Sequence, residues 1–141
     1  MGFEPLAPDW EARVRETFDA QGLMRTLGAT ITSLEPGRVV LRVPFDERLD
    51  QQDGFLHAGV ALAALDTACG FAAYSLMPSG ARVLTVELKT NLLAPATGTL
   101  RAIGRVTRAG RTLSVCTGDV YLEADQRHVA TSLTTMIQAP G

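Results

Sequence analysis

The chain has 141 residues, of which 46% are hydrophobic and 20% are charged. This balance is typical of a soluble globular protein and excludes a disordered chain, and the length suits a single domain over residues 1–141. The formal net charge of −2 supplies no cationic field for a phosphate backbone, which argues against a nucleic-acid partner.

The N-terminal region predicts a short helix. Its first residues include acidic side chains and lack the apolar core of a signal peptide, which favours a cytoplasmic location. Trp10, Val14 and Phe18 recur at helical spacing, so an amphipathic helix is expected over residues 9–19. Asp9 stands at the position where its side chain can cap that helix.

Two strands and a polar loop follow along the chain. Residues 28–34 and 38–44 are strand-like, and they flank the turn sequence Glu-Pro-Gly at 35–37. Proline suits the first central position of such a turn and glycine suits the second, so a β-hairpin is predicted. Residues 45–55 are polar and show neither helical nor strand periodicity, and we expect them to form a loop.

The most apolar segment predicts a helix that other structure must enclose. Apolar side chains cover nearly the whole circumference of residues 59–77, and Pro-Ser-Gly at 78–80 is expected to end the helix. The stretch 58–77 is long enough to suggest a membrane span. However, Asp66 near its middle would cost about 2.5–3.5 kcal/mol on insertion scales, so a buried helix away from any membrane is predicted.

Four further strands complete the pattern, and short turns separate them. We expect these strands over residues 82–93, 99–108, 113–123 and 128–137. Antiparallel strands joined by short turns can form one curved sheet whose apolar face covers the central helix, which gives an α+β fold. The unpaired edges of such a sheet favour edge-to-edge association of two copies, so a homodimer is expected.

The two cysteines are expected to be buried free thiols because both lie in apolar runs. Neither Cys69 nor Cys116 belongs to a Cys-x-x-Cys pair or to a histidine cluster, so they do not suggest zinc. A Walker-type glycine loop and a flavin motif are also absent from the sequence. The sequence therefore implies no metal and no prosthetic group.

Asp66 is the main functional candidate, because it is the only acidic or basic side chain between His57 and Arg82. A carboxylate in apolar surroundings is costly to keep charged without a partner, and such groups are often suited to proton transfer. Two structural explanations remain open from the residues alone. The aspartate can lie on a narrow exposed stripe, or it can be hydrogen-bonded across a subunit contact.

The start of the same helix is the second candidate. His57-Ala58-Gly59 closes the polar loop, and the backbone N–H groups of Ala58 and Gly59 are expected to lack partners at the helix N-terminus. Amides at that position and the helix dipole favour developing negative charge, as an oxyanion hole requires, which indicates acyl transfer. An ordinary loop with a solvated histidine is the alternative.

The segment from the loop to the acid resembles the active-site stretch of hotdog-fold thioesterases of the phenylacetate-degradation (PaaI-like) type. The family pattern has Asn or Gln, then Gly, an apolar residue, His-Gly-Gly, and an acid nine residues after the histidine. The matching positions are Gln51, Gly54, Leu56, His57-Ala58-Gly59 and Asp66. The resemblance continues through 85–91, 95–96, 108–112 and 128–130. It implies a hotdog fold, acyl-CoA thioesterase activity and a homo-oligomer.

The resemblance also implies a role for each matching residue. Asp66 would act as nucleophile or as general base on water that attacks the thioester, and the choice stays open. The oxyanion amide would be that of Ala58, whose methyl group leaves less room than the family's glycine. Gln51 would hydrogen-bond the carbonyl or the water, and Thr85 would reach across from the partner subunit to orient the water. The implied catalytic set is Asp66, Gln51, His57, Ala58, Gly59 and Thr85.

For the substrate, the resemblance implies a turn that contacts the phosphates or the pantetheine arm of coenzyme A. Guanidinium groups bind phosphate oxygens bidentately, although arginines in hairpin turns are often only solvated. The turn residues are Arg108, Gly110, Arg111 and Thr112. Coenzyme A is expected only as part of the substrate. The candidate acyl-pocket residues are Phe55, Leu62, Tyr74 and Leu84, and they leave aryl, short-chain and medium-chain acyl groups open.

Two other functions are compatible with these residues. A hotdog dehydratase or hydratase acting on an acyl thioester would also use an acid and a histidine near a helix start, although the spacing from His57 to Asp66 favours hydrolysis. A non-catalytic acyl-CoA-binding module would share the fold. Such a module has no evident use for a lone carboxylate beside the thioester.

Overall fold

One long helix is enclosed by an antiparallel sheet. The computed structural model describes residues 2–141, and the helix, α3, spans Ala58–Tyr74. The strands are β1 (Thr30–Glu35), β2 (Arg38–Val43), β3 (Ala81–Leu92), β4 (Leu100–Ala109), β5 (Leu113–Leu122) and β6 (His128–Pro140). They form a single six-stranded sheet in the order β1-β2-β4-β5-β6-β3. The predicted α+β architecture, a curved sheet wrapped on a central helix, is confirmed.

The predicted segments match the observed ones closely, with differences at the ends. The predicted helix at 59–77 begins one residue earlier and ends at Tyr74. The predicted hairpin forms with Gly37 at the second central position of its turn, where a φ of 79° favours glycine. The expected loop at 45–55 contains a 3-10 turn over Glu47–Leu49 and a bridge between Asp50 and Leu56, so it is more ordered than its polarity indicated.

Two helices precede the sheet. Helix α1 spans Trp10–Asp19 and buries Val14 and Phe18, as predicted. The prediction that the side chain of Asp9 caps this helix is wrong, because that side chain accepts no capping hydrogen bond. Helix α2, Gly22–Leu27, was not predicted, since six residues that begin with glycine carry little helical signal. It ends at Gly28, whose φ is 66°.

Arg13 of α1 binds the C-terminal end of α3. Its guanidinium donates to the backbone carbonyls of Pro78 at 2.6 Å, Met77 at 2.7 Å and Tyr74 at 3.1 Å. It also lies 4.5 Å from the centre of the Tyr74 ring. A cation at this place satisfies carbonyls that a helix C-terminus leaves without partners and opposes the partial negative charge there. The contact therefore joins the N-terminal region to the central helix.

Helix α3 lies close to the sheet because two strand residues opposite it are glycines. Twelve of its 17 residues are buried. A Cβ atom at Gly104 of β4 would come closer than 3.0 Å to backbone atoms of Ala68 and Cys69. At Gly118 of β5, a Cβ atom would collide with side-chain atoms of Leu65. No helix within residues 2–141 has both the length and the apolarity to cross a bilayer.

Strand β3 forms one edge of the sheet. It pairs only with β6, so one side of its backbone has no strand partner within residues 2–141. The pairing register shifts between Thr85 and Glu87, which leaves Val86 as an extra residue. Val86 is 55% exposed, and Leu92 at the end of the strand is 54% exposed. A long edge with exposed apolar side chains favours pairing with another chain.

The two cysteines are buried free thiols, as predicted. Burial raises the pKa of the Cys69 thiol to about 11. Burial likewise raises the pKa of the Cys116 thiol to about 12. Both sulfur atoms therefore stay protonated and unreactive at neutral pH, and they contribute to the packing of α3 against β5.

Candidate active site

The N-terminus of α3 presents one free backbone amide. His57 is the N-cap residue, and its Nδ1 accepts a hydrogen bond from the N–H of Gly59 at 2.8 Å. This bond places the proton of the neutral imidazole on Nε2. The amide of Gly59 is thus already engaged, unlike the sequence-based expectation. Ala58 is the first residue of the helix, and its N–H has no intrahelical acceptor.

Gln51 lies beside this helix start in a loop that its own side chain organises. Its Oε1 accepts hydrogen bonds from the N–H groups of Asp53 and Phe55, the latter at 3.3 Å. Its Nε2 lies 3.4 Å from an oxygen of Asp53, at the limit of a hydrogen bond. The amide nitrogen of Gln51 is consequently the part of the side chain that is available to a ligand.

Gln51 and Ala58 line the same cleft, which we call the amide cleft. Its volume is about 410 Å³. Its other walls come from the loop before α3, from α3, from the end of β3 and the turn after it, and from β6. They are Phe55, Leu56, Ala61, Leu92, Leu93, Ala94, Pro95, Ala96 and Val129. The cleft is mostly apolar, and the polar groups of the loop and the helix N-terminus lie on one side of it.

Asp66 lies in a second, smaller cleft, which we call the acid cleft. Its carboxylate is half-buried, and Oδ1 accepts a hydrogen bond of 2.6 Å from the hydroxyl of Thr85 on β3. The same hydroxyl is 3.4 Å from the sulfur of Met136. The volume is about 100 Å³, and the lining residues are Gln21, Asp66, Thr67, Gly70, Phe71, Val83, Leu84, Thr85 and Met136. The clefts share no lining residue.

Within one chain, the acid and the free amide are too far apart to act on one carbonyl group. Ala58 and Asp66 are eight residues apart on α3, which places them about 12 Å apart along the helix axis and about 80° apart around it. The expectation that a thioester lies between Asp66 and the start of its own helix is therefore not met in the single chain. Thr85 also differs from expectation, because it contacts Asp66 of its own chain.

The arginine turn lies at the other end of α3. Arg108 is near the end of β4, and Gly110, Arg111 and Thr112 lie between β4 and β5; all four are exposed. Gly110 and Arg111 line a cavity of about 380 Å³ together with Met77, just beyond the helix C-terminus. Neither arginine side chain forms an ion pair within residues 2–141. Helix α3 separates this turn from Ala58 by about 24 Å.

The side chains predicted for the acyl pocket are divided among three environments. Phe55 lines the amide cleft, and Leu84 lines the acid cleft. Tyr74 is buried in the core beneath Arg13, so it does not line either cleft. Leu62 lines neither cleft, although it belongs to α3, the helix that carries Ala58 and Asp66. Gln21, which the sequence did not single out, is part of the acid cleft.

Comparison with known families agrees with this fold. The family model that describes the Thioesterase superfamily matches residues 53–128, a range that contains Ala58, Asp66 and Thr85. The chain belongs to the Thioesterase superfamily. It is accordingly a thioester hydrolase, and its architecture is the hotdog fold. The predicted resemblance to hotdog thioesterases is confirmed.

Relatives of this superfamily member include other hydrolases. A protein of Halobacterium salinarum named as an esterase is 35% identical over 129 residues, which cover 88% of this chain and 84% of that protein. The 1,4-dihydroxy-2-naphthoyl-CoA hydrolase of Listeria monocytogenes is 28% identical over 95 residues, covering 67% of this chain and 77% of that protein. The similarity to both proteins extends well beyond a short motif.

Solved structures of thioesterases also superpose on this chain. A thioesterase family protein from Silicibacter pomeroyi is 46% identical with a TM-score of 0.91, covering 94% of this chain and 99% of that chain. The PaaI protein of Escherichia coli has a TM-score of 0.87 at 20% identity, covering 96% of this chain and 97% of that chain. At that identity, the second similarity shows the fold alone.

Proposed function

We propose that this thioesterase hydrolyses acyl-CoA thioesters that carry a small aryl group or a short- to medium-length acyl chain. The observation that supports this most is the Asp66 carboxylate, half-buried on an apolar helix and bound by the Thr85 hydroxyl. Asp66 acts as nucleophile or as general base on water. As a base, Asp66 takes a proton from the attacking water; as a nucleophile, it forms a mixed anhydride with the acyl group, which water then hydrolyses to free the acid and Asp66. In both routes the C–S bond breaks, and the thiolate of CoA takes up a proton.

The amide cleft supplies the other requirement of acyl transfer. As the carbonyl is attacked, its oxygen becomes negatively charged, and a free N–H at a helix N-terminus stabilises that charge. We assign the oxyanion contact to the N–H of Ala58 and a second hydrogen bond to the amide nitrogen of Gln51. His57 holds the amide of Gly59 and thereby fixes the first turn of α3. The reaction requires no metal and no prosthetic group.

The complete site requires two copies of the chain in this proposal. Because Asp66 and Ala58 lie in separate clefts of one chain, the acid cleft of one copy would face the amide cleft of its partner. Pairing of two β3 edges around a two-fold axis would bring the clefts together twice. The same rotation would carry the turn of Arg108 and Arg111 toward the partner's helix start, where the guanidinium groups can bind the phosphates of CoA.

Two single substitutions test the assignment of acid and amide. Asp66→Asn removes the base or nucleophile and keeps the side-chain shape. Ala58→Pro removes the N–H at the first helical position, where proline is well tolerated, and His57 has the extended backbone that precedes proline, with ψ 140°. We expect each to lower kcat about 100-fold or more without lowering the melting temperature.

The assay compares release of free thiol from a panel of aryl- and acyl-CoA esters with the change in enoyl-CoA absorbance. Loss of enoyl absorbance without thiol release would identify a dehydratase or hydratase instead. Retention of turnover by Asp66→Asn would show that the Asp66 carboxylate is neither the base nor the nucleophile. Binding of acyl-CoA with no turnover in the native protein would indicate a binding module.

Mixing the two inactive variants tests the shared site. A heterodimer of Asp66→Asn and Ala58→Pro chains contains one site with an intact acid and an intact amide, and one site that lacks both. Unfolding and refolding an equal mixture should restore about a quarter of the native activity, since about half of the dimers are mixed. If the two halves act within one chain, mixing restores no activity.

A further inference from the structure

Gln21 lies at the junction of α1 and α2 and lines the acid cleft. Its backbone is fixed on both sides, since its N–H donates to the carbonyl of Phe18 at 3.0 Å and its carbonyl accepts from the N–H of Arg25 at 3.2 Å. The ring of Phe18 packs edge-on against Phe71 of α3 with 6.1 Å between the centroids. The side chain of Gln21 therefore extends from a firmly held position next to the central helix.

The orientation of the Gln21 amide is set by Thr67. The hydroxyl of Thr67 donates to Oε1 of Gln21 at 3.2 Å, across 46 positions of sequence. Thr67 directly follows Asp66 on α3 and is only 7% exposed. Because the oxygen of the amide faces Thr67, the nitrogen is left for the cleft.

Gln21 carries the uncommitted hydrogen-bond donor of the acid cleft. Three other polar side chains line the cleft. The hydroxyl hydrogen of Thr67 is directed to Gln21, and that of Thr85 is directed to Asp66. An ionised carboxylate is only an acceptor. Nε2 of Gln21 has two hydrogens and no acceptor within residues 2–141, so it is the side-chain donor that remains for an added oxygen atom.

We propose that Gln21 is a further catalytic residue for hydrolysis, whose Nε2 donates a hydrogen bond to the attacking oxygen at Asp66. That oxygen belongs to Asp66 itself or to the water that Asp66 activates. The inference rests on the proposed role of Asp66. Thr85 on β3 holds the carboxylate of Asp66, and Gln21 donates to the attacking oxygen, so donors from two different elements restrict the direction of approach.

Four variants and a matched control separate a donor role from a purely structural role. Gln21→Glu keeps an oxygen that can accept from Thr67 but removes the N–H donor. Gln21→Leu removes both functions and keeps a similar volume. Thr67→Val removes the hydrogen bond to Oε1 of Gln21 and leaves the Nε2 donor in place, whereas Thr67→Ser keeps that hydrogen bond. Arg25→Ala is the matched control, because it breaks a bond to the carbonyl of Asp19 at the same junction without touching the cleft.

The expected result is a loss in kcat with little change in KM, since an interaction with the attacking oxygen stabilises the transition state more than the bound substrate. Gln21→Glu and Gln21→Leu should each lower kcat about tenfold or more, and Thr67→Val should lower it about threefold. Thr67→Ser and Arg25→Ala should stay within about twofold of the native kcat. Melting temperatures measured in parallel exclude unfolded samples.

Two outcomes would overturn the inference. One is a native kcat in Gln21→Glu, because that variant keeps only the hydrogen bond with Thr67 and lacks the Nε2 donor. The other is an equal loss of kcat in Gln21→Leu and Thr67→Val, which would show that the Gln21 side chain contributes only packing. Asp66→Asn is assayed in the same series: if it stays active, the proposed function fails, whereas if it is inactive and the Gln21 variants match Arg25→Ala, only the role of Gln21 fails.

Discussion

At the scale of single residues, the surroundings of Asp66 decide what this carboxylate can do. The hydroxyl of Thr85 donates a hydrogen bond of 2.6 Å to Oδ1 of this carboxylate. Thr85 is thus expected to fix the direction in which the Asp66 carboxylate points into the acid cleft.

Thr85→Val should lower kcat/KM about 10- to 100-fold, because it removes a hydrogen bond to a charged group worth about 1.5–3 kcal/mol. Valine has nearly the same shape and suits a strand, so the fold should persist. Steady-state kinetics on the best acyl-CoA ester and a thermal melt check both expectations. Thr85→Ser keeps the donor and serves as the control. Native turnover in the valine variant would contradict the assigned role of Thr85.

At the scale of elements, sequence patterns predicted those contacts that depend on neighbours along the chain. The apolar circumference of residues 59–77 predicted α3. The nine-residue spacing from His57 to Asp66 is part of the resemblance to hotdog thioesterases, a family that the chain shares. Contacts between distant positions had no such signal. Gln21 meets Thr67 across 46 positions, and α2 is too short to show periodicity. The separation of Ala58 from Asp66 follows only from helix geometry and the placement of the clefts.

The contact between α1 and α3 has a measurable energetic consequence. Arg13→Met keeps the aliphatic stem but removes the donors to the carbonyls at the end of α3, so we expect the free energy of unfolding to fall by about 2 kcal/mol. Denaturant titration measures this change. Arg15→Met is the matched control on the same helix: Arg15 forms only an exposed pair with Glu11, and its loss should change stability by less than about 0.5 kcal/mol. Equal losses of unfolding free energy in Arg13→Met and Arg15→Met would contradict the stabilising role assigned to Arg13.

At the scale of the whole molecule, the open edge of β3 connects the fold to the proposed shared site. An edge strand of 12 residues with exposed Leu84, Val86 and Leu92 differs from the short edge strands that proteins use to prevent association. The opposite edge, β1, has six residues and no comparable apolar exposure. Self-association is therefore expected through β3 rather than through β1.

Val86→Lys should convert the oligomer to a monomer, because a charge would enter the paired edge while the monomer leaves that side chain 55% exposed. Light scattering coupled to gel filtration gives the mass, and circular dichroism verifies the fold. Leu6→Lys, at a position that is 71% exposed and away from β3, should keep the native mass. An unchanged mass in Val86→Lys would exclude this edge as the interface.

The extra residue in β3 also determines which way the strand's side chains point. Side chains alternate between the two faces of a strand, and one unpaired residue reverses the alternation beyond it. Before Val86, Val83 packs on the core and Thr85 faces Asp66; after it, Leu88 packs on the core. If the strand kept all of its residues but paired without the bulge, Thr85 and Leu88, three positions apart, would lie on opposite faces. The contact of Thr85 with Asp66 and the packing of Leu88 on the core therefore both depend on the bulge at Val86.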